Sequence, residues 1–550
     1  MARMRLTSRP SRSLGDSWVQ PRATGRWTTL GNLDSPARAF VDPAGLVTLA
    51  GSTWSLDWWI GADDRWHLPC QEVAVRQSLI SGSPVVETRL RVPSGDAVHR
   101  AYAARSIDGS EAIVIEIENA STIPFAVALA VRPHGQAEVG RIDSIELSGT
   151  TLRVDGRMAV VLPKSPGRYA LSDAASGDSA AVVFSGGALA VASASVSCSD
   201  GLAQGALLFP LAHTAVLRVV MPLDGAADGV EPAEYPSAAQ VASGWSTHAS
   251  GGMRVELPDR RLRDAVVAST RHLLLGQDGP DVIAAIDLMG FPREADRLLR
   301  DTLSLARTDA PGATLYAVVR HWELTRDLVY ARSAVDVLGA LIARLGRAGD
   351  DDSKRGRSAF PAAARLLEAL GEQRAAADVR RIVVADDDPG PANPLSALLG
   401  TAGSTWTWAG RDVVDEIGSY VGHDLAMNAR LVSLVRDRLV REDDEALLMS
   451  PTVDESWLGQ GWELHDAPTR HGRLSFAVRW HGDRPALLWE LSPHEGDPPT
   501  TLRIPGLDPT WSTTDTVGEA LLAPVAIPDK GPRRGLTIPV SIESVPRRQP

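Results

Sequence analysis

The period of the apolar residues changes about halfway along the chain, and this change constrains the fold more than any other sequence feature. From about Trp27 to Leu223, apolar and polar residues alternate in short segments separated by Gly, Pro, Asp and Ser, which is typical of antiparallel strands. Beyond this part, apolar residues recur at helical spacing, as at Leu262, Val266 and Leu273. The sequence therefore predicts a multidomain chain that joins a β part to an α part.

The first part is predicted to be an antiparallel β-sandwich over residues 1–223. Residues 85–92 alternate, a turn follows at Pro93-Ser94-Gly95-Asp96, and residues 98–104 return. About ten such strands, with few helical segments between them, indicate two packed sheets. Residues 224–257 are rich in Ala, Gly, Ser and Pro, and are predicted to form a linker.

The second part, residues 258–446, repeats a turn in which glycine ends one apolar helix shortly before the next begins, as at Gly290 and Gly371. A short connection of this kind forces the next helix to run back antiparallel. The pattern predicts αα-hairpins arranged as a solenoid or toroid. After Leu447 the segments again resemble strands, so residues 447–550 are predicted to form a small C-terminal β-domain.

Charge and composition exclude several classes of protein. The formal net charge is -12, and no Lys or Arg cluster supplies the contacts that a nucleic-acid binder needs. No apolar run is long enough to span a membrane, and the first residues lack the apolar segment of a secretory signal. These features predict no nucleic-acid partner, no membrane association and a cytoplasmic location. They do not specify an oligomeric state.

No metal or other cofactor is predicted. Cys70 and Cys198 lie apart, with no Cys or His at ligand spacing. The intervals between His465, His471 and His481 do not match those of a closed metal site.

Residues 54–67 contain four tryptophans, including Trp58 and Trp59, among three aspartates. Aromatic faces pack on the apolar faces of sugar rings, so this segment is a candidate sugar-binding ledge. The alternative is that it packs against the next domain.

Two further segments carry candidate site residues. Asp281 lies in the first turn of a predicted helix, where it could bind a ligand or be retained because a carboxylate is favoured there by the helix dipole. The segment from residue 404 to 416 contains closely spaced tryptophans and acids, which indicate a sugar site, or else an edge strand or packing. Its candidates are Trp406, Trp408, Asp412, Asp415 and Glu416.

The β-sandwich, the linker and hairpins such as residues 281–295 resemble the six-hairpin glycosidases of the bacterial glucoamylase and trehalase type. The turn Leu288-Met289-Gly290-Phe291 resembles the Leu-Gly-Phe turn that closes the second barrel helix of that family. Residues 312–327 resemble a later helix ending in a Leu-Thr-Gly-Asp turn. Since about nine helices are predicted where the family toroid has twelve, the resemblance implies an incomplete (α/α) toroid.

The resemblance implies a carbohydrate partner, namely a glucose-type oligosaccharide or glycoconjugate. Asp281 matches the family's substrate-binding aspartate, although Pro280 stands where a sugar-binding arginine is expected. Inverting hydrolysis needs two carboxyl groups about 6.5 to 9.5 Å apart. Asp412, Asp415 and Glu416 are the candidate acid and base, with Trp406, Trp408, Trp58 and Trp59 contacting sugar.

The expected general acid is missing from its usual position. The connection before the helix at Gly312 offers only Asp309, and Glu323 lies inside that helix, where we expect a structural role. The alternative function is therefore a catalytically inactive relative that acts as a glycan-binding or scaffolding protein.

Overall fold

The fold is described from a computed structural model of the 550-residue chain. The structure describes residues 27–136, 140–190, 193–223, 231–276, 279–304, 310–345, 351–385, 425–443 and 446–527.

Two antiparallel sheets form the N-terminal part. The first has the strand order β1-β2-β3-β4-β10-β16-β14 with β5 paired to β4, and the second has the order β15-β11-β12-β13-β17-β9-β8-β7-β6. The strands are β1 (Thr28–Gly31), β2 (Arg38–Val41), β3 (Val47–Leu49), β4 (Ser55–Gly61), β5 (Trp66–His67), β6 (Val75–Leu79), β7 (Val85–Val92), β8 (Gly95–Arg105), β9 (Glu111–Asn119), β10 (Phe125–Arg132), β11 (Ser144–Ser148), β12 (Thr151–Val154), β13 (Arg157–Val161), β14 (Arg168–Ser172), β15 (Ser193–Ser197), β16 (Gln204–Leu211) and β17 (Val216–Pro222).

The two sheets pack face to face around one apolar core. Alternate side chains of each strand enter this core, for example Leu56 and Trp58 from β4 and Val86 and Leu90 from β7. The hairpin of β7 and β8 pairs Val85 with Tyr102, as the alternating pattern of this segment predicts. A short helix, α1 (Ser179–Phe184), contacts β14 and β16 of the first sheet.

The predicted linker contains regular structure. Helix α2 (Ala238–Ala249) begins at a capping box in which the side chains of Ser237 and Gln240 satisfy free backbone N–H groups. Trp245 anchors this helix, since it is only 6% exposed. Strand β18 (Arg254–Glu256) then pairs with a strand of the C-terminal part. A composition rich in small residues therefore marks a connection that packs closely against its neighbours.

The helical part follows. The helices among its described residues are α3 (Arg260–Leu273), α4 (Gly279–Leu288), α5 (Pro292–Ser304), α6 (Pro311–Thr325), α7 (Leu328–Leu345), α8 (Asp351–Ser358), α9 (Phe360–Ala369), α10 (Gln373–Ala385) and α11 (Leu425–Leu439). Helices α4 and α6 are buried over most of their length and form the centre of this part. None of the described helices combines the length and the hydropathy needed to span a bilayer.

Helices α4, α6 and α11 begin at the same end of the helical part. Asp287 and His321 lie near the C-terminal ends of α4 and α6 and are hydrogen bonded at 2.7 Å, so these two helices run parallel. Ser269, near the end of α3, bonds to Asn428, near the start of α11, at 2.9 Å. Because only residues 274–278 connect α3 to α4, the start of α11 lies at the end where α4 begins.

The C-terminal part consists of two small sheets. One has the order β18-β21-β22-β23-β26, and the other, β19-β20-β24-β25, includes a parallel pair of β20 and β24. The strands are β19 (Val440–Glu442), β20 (Ala446–Met449), β21 (Trp462–Thr469), β22 (Gly472–His481), β23 (Arg484–Pro493), β24 (Thr501–Ile504), β25 (Asp508–Thr513) and β26 (Val517–Leu521). Buried residues of these strands, such as Trp462 and Leu464, share one apolar cluster with the helices. The predicted succession of β, α and β parts is confirmed.

Candidate functional site

The end where α4, α6 and α11 begin carries the described candidate carboxylate, Asp281. This residue lies in the first turn of α4 and is half-buried, while the seven residues from Val282 to Leu288 are all buried. The helix dipole and the free N–H groups of a first turn favour a negative charge at this position. Asp281 therefore lies at the start of a helix whose next seven residues pack in the core.

A second carboxylate, that of Asp352, lies at the start of α6. Its two oxygen atoms accept hydrogen bonds from the backbone N–H groups of Gly312 and Ala313, at 2.7 and 3.1 Å. Helix α8 contributes Asp352 and crosses so close to α6 that a Cβ atom on Gly312 would lie 1.8 Å from the Asp352 carbonyl oxygen. The free donors at the start of α6 are thus occupied by a carboxylate of the chain itself.

Deeper in the bundle, Asp287 and His321 form a buried polar pair. Both side chains are at most 3% exposed, and the ring of Tyr330 meets the His321 ring edge-on at 4.5 Å. Burial raises the pKa of the Asp287 carboxyl, and the hydrogen bond with His321 opposes this rise. Asp287 lies six residues beyond Asp281 on α4, which is about 9 Å along the helix axis.

A network of buried charges joins α6 to the C-terminal sheets. Both guanidinium Nη atoms of Arg320 bond to the two carboxylate oxygens of Glu442, at 2.5 and 2.6 Å, and Arg436 reaches the same carboxylate at 3.1 Å. Burial alone would raise the pKa of Glu442, but the charges of Arg320 and Arg436 hold this pKa well below its usual range. The network fixes the position of β19 against the helices.

Glu323 belongs to the same network, as its position inside α6 predicts. It is 6% exposed, and its carboxylate bonds to Arg365 at 2.6 Å and to Arg320 at 3.3 Å. All of its described polar contacts are made with these two guanidinium groups. Its role is therefore structural.

Trp58 and Trp59 do not form an exposed ledge, contrary to the sugar-binding interpretation. Consecutive residues of a strand point to opposite faces, and β4 is covered on both faces. Trp58 enters the core between the sheets, whereas Trp59 packs among Ala128, Ala180 and Val183 on the other side. They are 1% and 0% exposed, so neither can stack on a sugar. Trp59 also donates a hydrogen bond to Asp57 at 2.9 Å.

The remaining candidates lie outside the described residues. These are the sugar-stacking candidates Trp406 and Trp408 and the acid-base candidates Asp412, Asp415 and Glu416. In the sequence their segment, residues 404–416, is separated from α11 by residues 417–424. Among the residues within the described ranges, no group of three or more His, Cys, Asp or Glu side chains could hold a metal ion.

Sequence reasoning missed three polar residues of this region, namely Asp352, Asp287 and His321. Asp287 and His321 interrupt helices that are otherwise apolar, and this contrast was a usable signal for a buried pair. Asp352 gave no such signal, because an aspartate in an acidic, glycine-containing stretch is usually solvated.

No protein-family model and no curated protein sequence matches this chain. Among solved structures, an alpha-L-rhamnosidase from Dictyoglumus thermophilum matches with a TM-score of 0.34 and 7% sequence identity, over 68% of this chain. The chain spans 56% of the length of that enzyme. What the site can do must therefore follow from its own residues.

Proposed function

We propose that this protein is a glycosidase-like, carbohydrate-active protein whose sugar site lies at the end where α4, α6 and α11 begin. The shared start of these three parallel helices is the observation that carries the proposal. Asp281 is half-buried at this end of the bundle, and the sequence carries Trp406, Trp408 and the acidic candidates in residues 404–416, ahead of the start of α11 at Leu425. Carboxylates and aromatic faces are the groups with which proteins bind neutral sugars.

The proposed fold of the helical part is an incomplete (α/α) toroid. Parallel buried helices such as α4 and α6, each followed by a helix that runs back along it, are what a ring of hairpins requires. Helices α5 and α7 supply the returning members for α4 and α6. The end at which the inner helices begin is then the open end of the ring.

The proposed reaction is inverting hydrolysis of a glucose-type oligosaccharide. Asp281 binds the sugar, and two of the three residues Asp412, Asp415 and Glu416 act as acid and base. One carboxyl group protonates the leaving oxygen, while the other, about 6.5 to 9.5 Å away, removes a proton from the attacking water. Trp406 and Trp408 supply the stacking surface.

One observation favours the alternative, a catalytically inactive glycan-binding or scaffolding protein. The Asp352 carboxylate occupies the start of α6 and α8 crosses there, which leaves less room for a deep pit at the start of α6. Hydrolysis needs walls that exclude water, whereas binding one end of a glycan does not.

The test combines a hydrolysis assay with a binding assay on the full chain. We expect maltose-type and trehalose-type substrates to release sugar of the opposite anomeric configuration, detected by NMR. Two of the three variants Asp412→Asn, Asp415→Asn and Glu416→Gln should abolish release, and Asp281→Asn should weaken binding. Asp336→Asn, which removes an exposed carboxylate from α7, is the matched control.

Binding on a glycan array without any release of sugar would exclude hydrolysis and support the non-catalytic, glycan-binding function. If the protein neither binds nor cleaves glycans, both forms of the proposal are wrong. Retained activity in both Asp415→Asn and Glu416→Gln would exclude these residues as acid and base.

A further inference from the structure

An exposed apolar patch lies on the outer face of the C-terminal sheet that ends in β26. It consists of Leu488 on β23 and of Val517 and Leu521 on β26, whose side chains are 40%, 65% and 50% exposed. Strand pairing brings the three together, because Leu488 lies opposite Glu519, midway between the other two. Large apolar side chains that are exposed side by side, rather than singly, indicate a contact surface.

One edge of β26 has no partner strand among the described residues, since β26 is the last strand of its sheet and pairs with β23 alone. Thr516 O accepts a hydrogen bond from Leu491 N at 2.7 Å. Leu522 N donates one to Pro485 O at 2.9 Å. Backbone groups alternate in direction along a strand, so the even-numbered residues face β23. The residues whose N–H and C=O groups point to the free edge are therefore Val517, Glu519 and Leu521.

The free edge and the apolar patch share the same residues of β26. The three residues that turn their backbone groups outward also carry their side chains on the exposed face. Among the described residues beyond β23 pairing, one group approaches these backbone atoms, since Arg484 Nη2 lies 3.4 Å from the Leu521 carbonyl oxygen. Such an edge can bind a further strand, whose backbone extends the sheet and whose side chains lie on the patch.

A matching pattern follows in the sequence of residues 528–550, which lie outside the described residues. Apolar residues occupy every second position over seven residues, and these positions are Leu536, Ile538, Val540 and Ile542. The residues between them are Thr537, Pro539 and Ser541. Strict alternation of this kind is typical of a strand with one apolar face.

The connection from the described chain to this segment is long enough to reach β26. Val525 N bonds to Asp483 O at 2.9 Å, and Ile527 Cγ2 lies 3.3 Å from where a Cβ atom on Gly459 would be. Gly459 shortly precedes β21, which is three strands from β26, or about 14 Å across the sheet. The nine residues from Ile527 to Leu536 span up to about 30 Å. Because the connection starts at the end of the sheet where β26 finishes, the segment would run antiparallel to β26.

Pro539 fits an outermost strand in this orientation. Proline has no N–H group to donate, so in a sheet it is accepted where its nitrogen points away from the neighbouring strand. With Pro539 pointing away from β26, the backbone groups of Ile538 and Val540 point toward it. Residues directly opposite each other in an antiparallel pair lie on the same face, so these two side chains would lie beside Val517 and Leu521. The arrangement that proline allows is therefore the one that covers the apolar patch.

Charge favours this segment over a second copy of the chain. The exposed Glu490 and Glu519, next to the patch, have no ion-pair partner among the described residues. Residues 528–550 carry two acidic residues, Asp529 and Glu543, and five basic ones, Lys530, Arg533, Arg534, Arg547 and Arg548. Two copies of β26 paired antiparallel over their full length would instead place Glu519 opposite Glu519, and like charges directly opposite each other are destabilising.

We propose that residues 536–542 pair with β26 as an additional edge strand and cover the apolar patch. The segment then closes a strand edge that would otherwise be open to association with other chains. The proposal does not involve the sugar site at α4, so either can fail without the other.

Hydrogen exchange of the full chain, followed by mass spectrometry in peptides that span β26, tests the proposal. The amides of Val517, Glu519 and Leu521 should exchange at least tenfold more slowly in the wild type than in Val540→Asp, which places a charge on the apolar face of the segment. Val329→Asp, a change of the same kind at an exposed position of α7, is the matched control and should leave this exchange unchanged. Equally fast exchange in the wild type and in Val540→Asp would overturn the proposal.

Two proline variants test the strand pairing itself. Ile538→Pro removes an N–H group that points to β26 and should raise the exchange rate at β26, whereas Thr537→Pro removes one that points away and should not. Equal effects of the two prolines would contradict the proposed pairing. The wild type and Val540→Asp are also compared at two protein concentrations. Protection that rises with concentration and persists in Val540→Asp would show that a second copy covers β26, and the proposal would then be wrong.

Discussion

The Nδ1 atom of His321 lies 2.7 Å from a carboxylate oxygen of Asp287, and both side chains are inside the helical part. This pair joins the deep ends of the two central helices, α4 and α6, and so aligns the ends at which they begin. The position of Asp281 at the start of α4 therefore depends on a contact about 9 Å further along the helix axis.

Replacing Asp287 by alanine should destabilise the helical part by about 3 kcal/mol, because His321 would lose its partner in a buried site. Urea unfolding monitored by tryptophan fluorescence measures the effect. Asp336→Ala on the exposed face of α7 is the control and should change the free energy of unfolding by less than about 0.5 kcal/mol. Equal midpoints for the two variants would show that the pair does not contribute to stability.

Glu442→Gln should destabilise the junction between the helices and the C-terminal sheets by about 3 kcal/mol at pH 7. The neutral amide leaves Arg320 and Arg436 buried without a compensating charge. The exposed Glu490→Gln on β23 should have almost no effect.

The difference in unfolding free energy between wild type and Glu442→Gln should depend on pH. Because the pKa of Glu442 is lower in the folded chain than in the unfolded one, its contribution is present above about pH 4.5 and is lost as the pH falls through the folded pKa. The difference between wild type and Glu442→Gln should therefore shrink in acid. A difference that grows on acidification would contradict the ion-pair explanation.

Asp42 is expected to have the opposite pH dependence. It is 1% exposed, its Oδ2 atom has no hydrogen-bond partner among the described residues, and burial raises its pKa to about 7. The unfolded carboxyl group loses its proton near pH 3.8, so stability from this group is lost as the pH rises toward 7. A rise of three pKa units corresponds to about 4 kcal/mol.

Asp42→Asn should remove the loss of stability that the buried carboxyl group causes as the pH rises toward 7. The amide oxygen can still accept from the backbone N–H groups of Ala44 and Leu46, which now bond to Asp42 at 2.9 and 2.8 Å. Thermal unfolding of the variant and the wild type should differ little at pH 4 and favour the variant at pH 8. A variant that is less stable than wild type at pH 8 would show that the carboxylate is compensated.

Trp59→Phe should destabilise the N-terminal sandwich by about 2 kcal/mol without changing glycan binding. The smaller ring leaves a void beneath α1, and Asp57 Oδ2 loses the donor that lies 2.9 Å away. The ring centroids of Phe184 and Trp59 are 6.0 Å apart. Phe184→Leu is therefore the matched control, because it changes the packing around Trp59 but keeps the hydrogen bond to Asp57. Reduced glycan binding by a folded Trp59→Phe protein would restore the sugar-binding interpretation.

The parts of the fold that were predictable are those encoded by local periodicity. Alternation at β7 and β8 and apolar spacing along α3 and α6 depend only on neighbouring residues, so the sequence was sufficient. Trp58 and Trp59 were not predictable in the same way, because two adjacent aromatic residues are compatible with a loop or with a strand covered on both faces. The covering helix α1 lies about 120 residues later in the chain.

Polar sites were harder still to predict, because the environment of each side chain is set by residues that are distant in the sequence. Arg271 is one of several arginines in α3, and only packing against the Ser81-Gly82 turn separates it from those that reach solvent or a carboxylate. Asp352 caps a helix that begins 41 residues earlier. Neither relationship has a fixed sequence interval, so no motif could have shown it.

Gly312→Ala tests whether α8 covers the start of α6. The added methyl group would meet the Asp352 carbonyl oxygen at 1.8 Å, so α8 must move or α6 must shift. Overpacking of this kind costs about 1 to 3 kcal/mol, and any movement of α8 also withdraws the Asp352 carboxylate from the start of α6. Gly339→Ala, at a position in α7 where an added Cβ meets nothing within 4 Å, should instead be neutral or slightly stabilising because alanine favours a helix.

Hydrogen exchange at the backbone amides of positions 312 and 313 measures the displacement directly. Faster exchange in Gly312→Ala but not in Gly339→Ala is expected, and unchanged exchange would mean that the capping carboxylate follows α6 as it moves.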